Sequence, residues 1–321
     1  MPGWLIDFLW VVVKVTLVIA FVGVNFIFMV WLERKLSAKM QARIGPNRVG
    51  PHGSLQLIAD ALKLFSKEDI KPAMADPKVW ALAPVVMFAP ALLVFYVLPV
   101  GPNAVIGTDL NVGLLYLAAV SSFTLVGIFM AGWGSNSKYS LLGAMRAGAA
   151  LMAYEIPLVL SILTVAMLAG TLSVQGIVQA QVDRGYYFVF PGIVAFIIYF
   201  ICVMAELGRG PFDLVEAEHE LVMGYQTEYS GMRWGIMLMA EYTNQFTAAA
   251  IAAMLFLGGW DGPFLPGWLW LVIKAYALVM VMMWVRWTLP RVRIDQLLDL
   301  SWKFLLPVSL LNLVVVAIFL V

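Results

Sequence analysis

Apolar positions along this chain run in long unbroken blocks rather than in alternation. Eight blocks, at roughly 8–32, 79–99, 112–133, 143–167, 187–206, 233–258, 268–289 and 302–321, approach the ~20 residues that carry a helix across a bilayer. Backbone in lipid must satisfy its own N–H and C=O groups, so these blocks predict eight transmembrane helices. The lack of a period-two pattern sets a β-barrel aside. One segment follows a different rule. In "SLQLIADALKLFSK", Leu55, Ile58, Leu62 and Phe65 recur at i, i+3, i+7 and i+10, with Gln56, Asp60, Lys63 and Lys67 elsewhere. It is too short to span and predicts an amphipathic helix lying on the membrane surface, with Ser54 as its N-cap. The turn-rich "RIGPNRVGPHG" before it breaks regular structure. The fold class is therefore an all-α polytopic membrane protein of about eight transmembrane helices plus that surface helix. We expect one membrane domain over residues 1–321, with connections at 33–78 and 207–232 on the cytoplasmic side.

Composition agrees with the pattern. The chain is 63% hydrophobic and 12% charged, where soluble domains carry about a quarter charged residues. The first apolar block is longer than a signal-peptide core, lacks a small-residue cleavage site and ends in "ERK", so it should remain as a helix. Of the 20 Lys and Arg residues, 17 fall at the ends and connections that follow odd-numbered blocks and three (Lys14, Arg184, Lys274) on the other side. Positive residues stay inside, which puts both termini on the outer side. The single cysteine, Cys202, excludes an internal disulfide or a cysteine-ligated cluster, and both histidines, His52 and His219, fall in expected connections. We expect no metal or redox cofactor on this chain.

The carboxylates stand out against this background. "AELGRGPFDLVEAEHELVMGYQTEYS", residues 205–230, holds Glu206, Asp213, Glu216, Glu218, Glu220 and Glu228, six of 19 acidic residues, with Arg209 as the one base among them. Glu216 and Glu220 share a helical face one turn apart, a spacing that repels like charges and favours proton sharing. Interleaved Leu214, Val215, Leu221, Val222, Met223 and Tyr225 call for burial, which a solvated acidic loop does not explain. Glu155 and Glu241 lie inside the fourth and sixth blocks, where an ionisable group costs about 2.5–3.5 kcal/mol on insertion scales and marks function or a paired partner. Pro157, beside Glu155, frees backbone carbonyls and leaves room for water. Acids in series, linked by Tyr229 and water, suit a proton path.

The motifs "ERK", "QARIGPNRVGPHGSLQLIADALKLFSKED", "GWGSNSKYSLLGAMRAGA", "AELGRGPFDLVEAEHELVMGYQTEYS", "AEY", "LFLGGW" and "PRVRIDQLLDLSWKFLLP" resemble, over nearly the whole chain, the H-type (subunit-1-type) membrane subunit of respiratory complex I, NADH:quinone oxidoreductase. One departure is "RAGAALMAYE", which lacks the Gln and Ser often found in that part of the fourth helix. The resemblance implies a subunit at the joint of the membrane and peripheral arms. The first and sixth helices and the surface helix would frame a quinone tunnel, with Leu55 and Ile58 at its entrance and Arg34 and Arg286 in its lining. Glu155, Glu206, Asp213, Glu216, Glu218, Glu220, Glu228 and Glu241 would form the proton path. Electrons would come from NADH through FMN and iron–sulfur clusters in partner subunits, quinone being the substrate. The location implied is an energy-transducing membrane, the bacterial inner membrane, with no nucleic-acid partner. Arg cannot release its proton at accessible pH, so Arg34 and Arg286 can hold ordered water or anionic forms of the reduced quinone, or simply obey the positive-inside rule.

Three rivals remain at this stage: the homologous subunit of an energy-converting hydrogenase or formate hydrogenlyase, an ion-coupled secondary transporter, and a structural anchor. The chain shows no internal repeat of the transporter kind, and an anchor explains neither the acids nor the two arginines.

Overall fold

The computed structural model describes residues 3–102, 104–215 and 218–320. Helices dominate: α1 (Gly3–Met40), α2 (Gln56–Ser66), α3 (Pro77–Leu93), α4 (Gly113–Gly134), α5 (Lys138–Ala169), α6 (Val174–Arg184), α7 (Ile193–Glu206), α8 (Glu218–Leu221), α9 (Gly231–Phe256), α10 (Gly267–Thr288), α11 (Ile294–Asp299) and α12 (Leu306–Leu320). A π-helical turn, Leu300–Leu305, joins the last two. The strands described are β1 (Pro99–Gly101) and β2 (Ala104–Val105), an antiparallel pair in which Pro99 faces Val105.

Among the described residues, six helices are long and apolar enough to cross a membrane: α1, α3, α4, α5, α10 and the continuous rod from α11 to α12. α7 and α9 complete the eight predicted segments, and each departs from a plain lipid-facing rod. α7 has 14 residues, about 21 Å of helix, less than the ~30 Å of hydrocarbon. α9 is long enough, yet it carries Arg233 and Glu241. It can do so because protein surrounds it: α1, α2, α3, α7 and α10 all pack against it, and Ala249, Ala250, Ala252, Ala253, Met254, Leu255 and Phe256 are buried. α9 thus carries these charges with none of its residues fully exposed.

Prolines inside helices are accommodated one by one. A proline lacks the N–H that would serve the carbonyl four residues earlier. Pro84 in α3 leaves Trp80 O, which accepts the Tyr229 hydroxyl at 3.1 Å. Pro157 in α5 leaves Ala153 O, which accepts Ser301 Oγ at 2.6 Å from the π turn. The carbonyl freed by Pro157 is thus bound by a serine of the last rod, not by water as the sequence suggested. Tyr154 Oη donates to Leu297 O at 2.9 Å and fixes the same contact.

Two local expectations change. Ser54 does not cap α2: it sits in helical conformation closing the Pro51–Gly53 turn, its N–H bonded to Pro51 O, and Leu55 takes the N-cap position. α6 falls between two expected spans. Its Gln181 joins three elements: Nε2 donates to Met254 O at 2.8 Å, while Oε1 accepts from Phe188 N at 3.1 Å and Gly258 N at 3.0 Å.

Candidate functional site

The site grows from the end of α1. Residues at four-residue spacing, Asn25, Met29, Glu33 and Ser37, share one face of that helix and are all buried. Glu33 therefore remains within the bundle while Arg34, on the next face, turns outward to Asp60 of α2 at 2.7 Å. Inside, Glu33 Oε1 accepts from Arg286 of α10. Its other oxygen lies 4.0 Å from Arg209, just past α7, and Arg209 in turn lies 3.9 Å from Glu241 of α9. Arg209 is only 6% exposed, and its guanidinium stands 4.5 Å over the ring of Tyr242, a favourable desolvated cation–π contact. Glu241 Oε1 also accepts Tyr225 Oη at 2.8 Å and Gln226 Nε2 at 2.6 Å. Two acids and two bases thus alternate as Arg286, Glu33, Arg209, Glu241. Buried charge is tolerated where it is paired.

Two adjoining cavities lead away from this chain. A cavity of about 60 Å³ is lined by Glu241, Arg209, Tyr225, Asn244 and Glu206. A second, of about 110 Å³, shares Glu206 and Asn244 with the first and reaches Ser122, Glu155, Tyr199 and Thr247. Either has room for water. At the far wall, Ser122 Oγ of α4 donates to Glu155 Oε1 of α5. A third, open cavity of about 310 Å³ lies on the other side of the ion-pair chain, bordered by Arg286, Trp287, Arg291, Asp213 and Pro211.

The sequence-predicted residues separate into groups. Glu155, Glu206 and Glu241 surround the connected cavities, and Arg286 enters the ion-pair chain. Asp213 and Glu220, from the stretch in which Arg209 is the one base, have basic partners from elsewhere: Asp213 meets Arg291 at 3.2 Å and Glu220 meets Arg146. The partners come from α5 and from the connection after α10, distant in sequence, so local composition gave no sign of them. Glu220 is turned toward solvent, 53% exposed at its side chain, and the Arg146 bond holds its carboxyl below the usual range. Glu228 is half-buried. Glu216 and the side chain of Glu218 lie outside the described residues. Leu55 and Ile58 are 47% and 44% exposed on the outward face of α2. They line none of the three cavities, while Leu57 is the residue of α2 that is buried.

Sequence reasoning missed Glu33, Tyr225, Gln226 and Ser122 as site residues, and noted Arg209 as the one base in the acidic stretch. For Glu33 a signal existed: the four-residue spacing from Asn25 places it on the buried face, although "ERK" reads as a stop to the span.

These features define a polytopic membrane protein whose bundle encloses, at one end, a chain of alternating acids and bases beside a cavity-linked series of carboxylates. A family model described as NADH dehydrogenase matches residues 13–317. A relative from Dehalococcoides mccartyi, named as the H-type subunit of NADH-quinone oxidoreductase, is 52% identical over 310 residues, covering 96% of this chain and 87% of its own. Relatives of the same name from Carboxydothermus hydrogenoformans and Bacteroides fragilis are 48% and 44% identical, covering 92% and 100% of this chain and 85% and 94% of theirs. The chain belongs to the NADH dehydrogenase family.

Proposed function

We propose that this chain is the quinone-binding, proton-coupling membrane subunit of a proton-translocating NADH:quinone oxidoreductase. The relatives' shared name supports the enzyme and favours quinone over the hydrogenase reading. NADH, FMN and iron–sulfur clusters would belong to partner subunits, and the host membrane would be the bacterial inner membrane with both termini outside. One observation carries the coupling: Glu241 is at once the last member of the Arg286–Glu33–Arg209 chain and a wall of the cavities that continue to Glu206 and Glu155.

The chemistry follows from that position. Quinone reduction consumes protons and transiently places negative charge near the cationic end of the chain. Arg286 faces the open cavity where an apolar ring beside Trp287 could lie, and it responds electrostatically because it cannot deprotonate. A charge appearing there weakens the Arg286–Glu33 pair and frees Glu33 to draw Arg209. Glu241 then loses part of its counter-charge and takes up a proton. Water in the cavities passes that proton between Glu241, Glu206 and Glu155. The ion pairs at 3.9 and 4.0 Å exceed hydrogen-bond length, which suits a chain whose members change partner.

Replacing Glu241 or Glu155 by Gln tests the reading. An amide keeps the shape and cannot bind and release a proton. Glu155, which accepts from Ser122, should assemble normally as Gln, whereas Glu241→Gln leaves Arg209 and Arg286 facing Glu33 and should assemble in lower yield. In both, translocation per assembled complex should be lost and quinone reduction strongly slowed. Wild-type translocation in both variants would refute the path.

A further inference from the structure

We propose that the turn Gly224–Gln226, seated on α5, is a clamp that orients Glu241 and directs its exchangeable proton to the oxygen facing Arg209. This deepens the proton-path reading and rests on it.

The seat is built for close approach. A Cβ at Gly143 of α5 would stand 2.7 Å from Gly224 Cα and 2.8 Å from Tyr225 N, nearer than real Cβ atoms come. Two glycines therefore let the backbone of the turn lie directly on the helix. One turn earlier on α5, the buried Ser140 donates its hydroxyl to Tyr225 O at 3.0 Å. Gly224 itself has φ +55°, in the region glycine favours. Downstream, Tyr229 stacks on Trp80 of α3 with ring centres 5.2 Å apart, and it occupies the carbonyl freed by Pro84. The turn is thus fixed at both ends by elements other than α9.

What the fixed turn presents is specific. Tyr225 Oη and Gln226 Nε2 both reach Glu241 Oε1, at 2.8 and 2.6 Å, and Gln226 Nε2 also lies 3.0 Å from Tyr225 Oη. The amide nitrogen can only donate. Two donors on Oε1 favour its unprotonated form, because a proton there would cost at least the bond from Tyr225. The proton is taken up more readily at Oε2, which stands 3.9 Å from Arg209. Glu241 is thereby held with one oxygen anchored and the other at the junction of ion-pair chain and cavity. Gln226 and Tyr225 are positioning residues in this account, acting through Glu241.

A pH profile on the intact complex in native membranes separates positioning from mere packing. Gln226→Glu retains the shape of the side chain but can donate to Oε1 only when protonated. Gln226→Leu can never donate. Proton translocation per assembled complex should fall about tenfold in Gln226→Leu at every pH, the scale of one hydrogen bond to a charged group. In Gln226→Glu it should fall similarly at high pH and recover as pH is lowered, where the new carboxyl is protonated. A pH-independent loss in Gln226→Glu, or wild-type translocation in both variants, overturns the clamp. Glu241→Gln, measured alongside, distinguishes the two levels. If it abolishes translocation while both Gln226 variants behave as wild type, the clamp fails and the path stands. If it leaves translocation intact, the path fails and the clamp with it.

Discussion

Two buried polar clusters, one at each end of the bundle, solve the same problem differently. At the end opposite the ion-pair chain, Lys274 of α10 donates to Leu257 O at 2.6 Å and Asp261 O at 2.7 Å, and its ammonium lies 5.0 Å from the ring of Tyr187. Tyr187 donates to Asp261 Oδ2 at 3.1 Å. Nearby, Gln181 bonds to backbone groups of Ile177, Met254, Phe188 and Gly258 at 2.8–3.4 Å. Most partners are backbone groups at full hydrogen-bond length, and a cation sits at the C-terminal end of α9, where the helix dipole favours it. The Glu33–Arg209–Glu241 cluster instead has side chains facing side chains, separations of 3.9 and 4.0 Å, and cavities alongside. A cluster satisfied by backbone has nowhere to move a proton or an ion pair. A cluster of loosely spaced charges can rearrange, and the cost is that each member depends on the rest. The first is a staple and the second a candidate mechanism.

Removing the hub should produce the largest effect. Arg209→Met leaves Glu33 and Glu241 sharing too little positive charge, and breaking a buried pair costs about 3–5 kcal/mol. Little assembled complex should survive on a native gel. Adding Glu241→Gln to Arg209→Met leaves, among the described residues of the cluster, one acid, Glu33, against one base, Arg286, and should recover assembly without recovering translocation. Such non-additivity is expected of residues in direct contact. If Arg209→Met assembles like the wild type, the cluster's charges do not depend on one another and the contrast with the lysine end collapses.

Lys274→Met should act with the opposite signature and a smaller magnitude. It strips the donor from Leu257 O and Asp261 O, and at this half-buried site water can serve the freed carbonyls, so the total should stay at about 1–3 kcal/mol. The thermal midpoint of the complex should fall, whereas translocation per assembled complex should not change. A turnover defect at full assembly would show that the staple also takes part in the mechanism.

What the sequence revealed follows the same division. The eight apolar blocks and the surface helix were legible because lipid imposes length and surface imposes period. α6 was not, because a helix with polar and apolar residues in near balance shows no block; only the fold shows Gln181 holding its neighbours. The carboxylates were legible as a cluster, since acids in an apolar chain need a reason. Their partners were not: Arg146 and Arg291 come from remote segments, so which acids are paired is a tertiary fact. The surface helix shows a subtler limit. Its apolar stripe at Leu55, Ile58, Leu62 and Phe65 is real and faces outward, while Leu57 and half-buried Leu64 face the bundle. Periodicity identified an apolar face but could not say which of two apolar faces meets the protein.

Glu220 gives the smallest expected effect and sharpens the line between the two kinds of acid. Its lowered pKa arises chiefly from the Arg146 bond, at an exposed position. A carboxyl whose folded pKa is depressed contributes stability that is fully present above the unfolded value, about 4.3 for Glu, and is lost as pH falls through the folded value. Across neutral pH the pair is therefore constantly ionised. Glu220→Gln should differ from wild type in thermal midpoint by a small amount that is flat between roughly pH 6 and 8, shrinks with added salt because the pair is solvent-screened, and closes only in acid. Its translocation rate should lie near wild type, in contrast to Glu241→Gln. If the rate of Glu220→Gln instead fell steeply and its gap from wild type varied across neutral pH, Glu220 would be exchanging protons with neighbouring acids. The proton path would then extend outward from the cavities to the surface at Arg146.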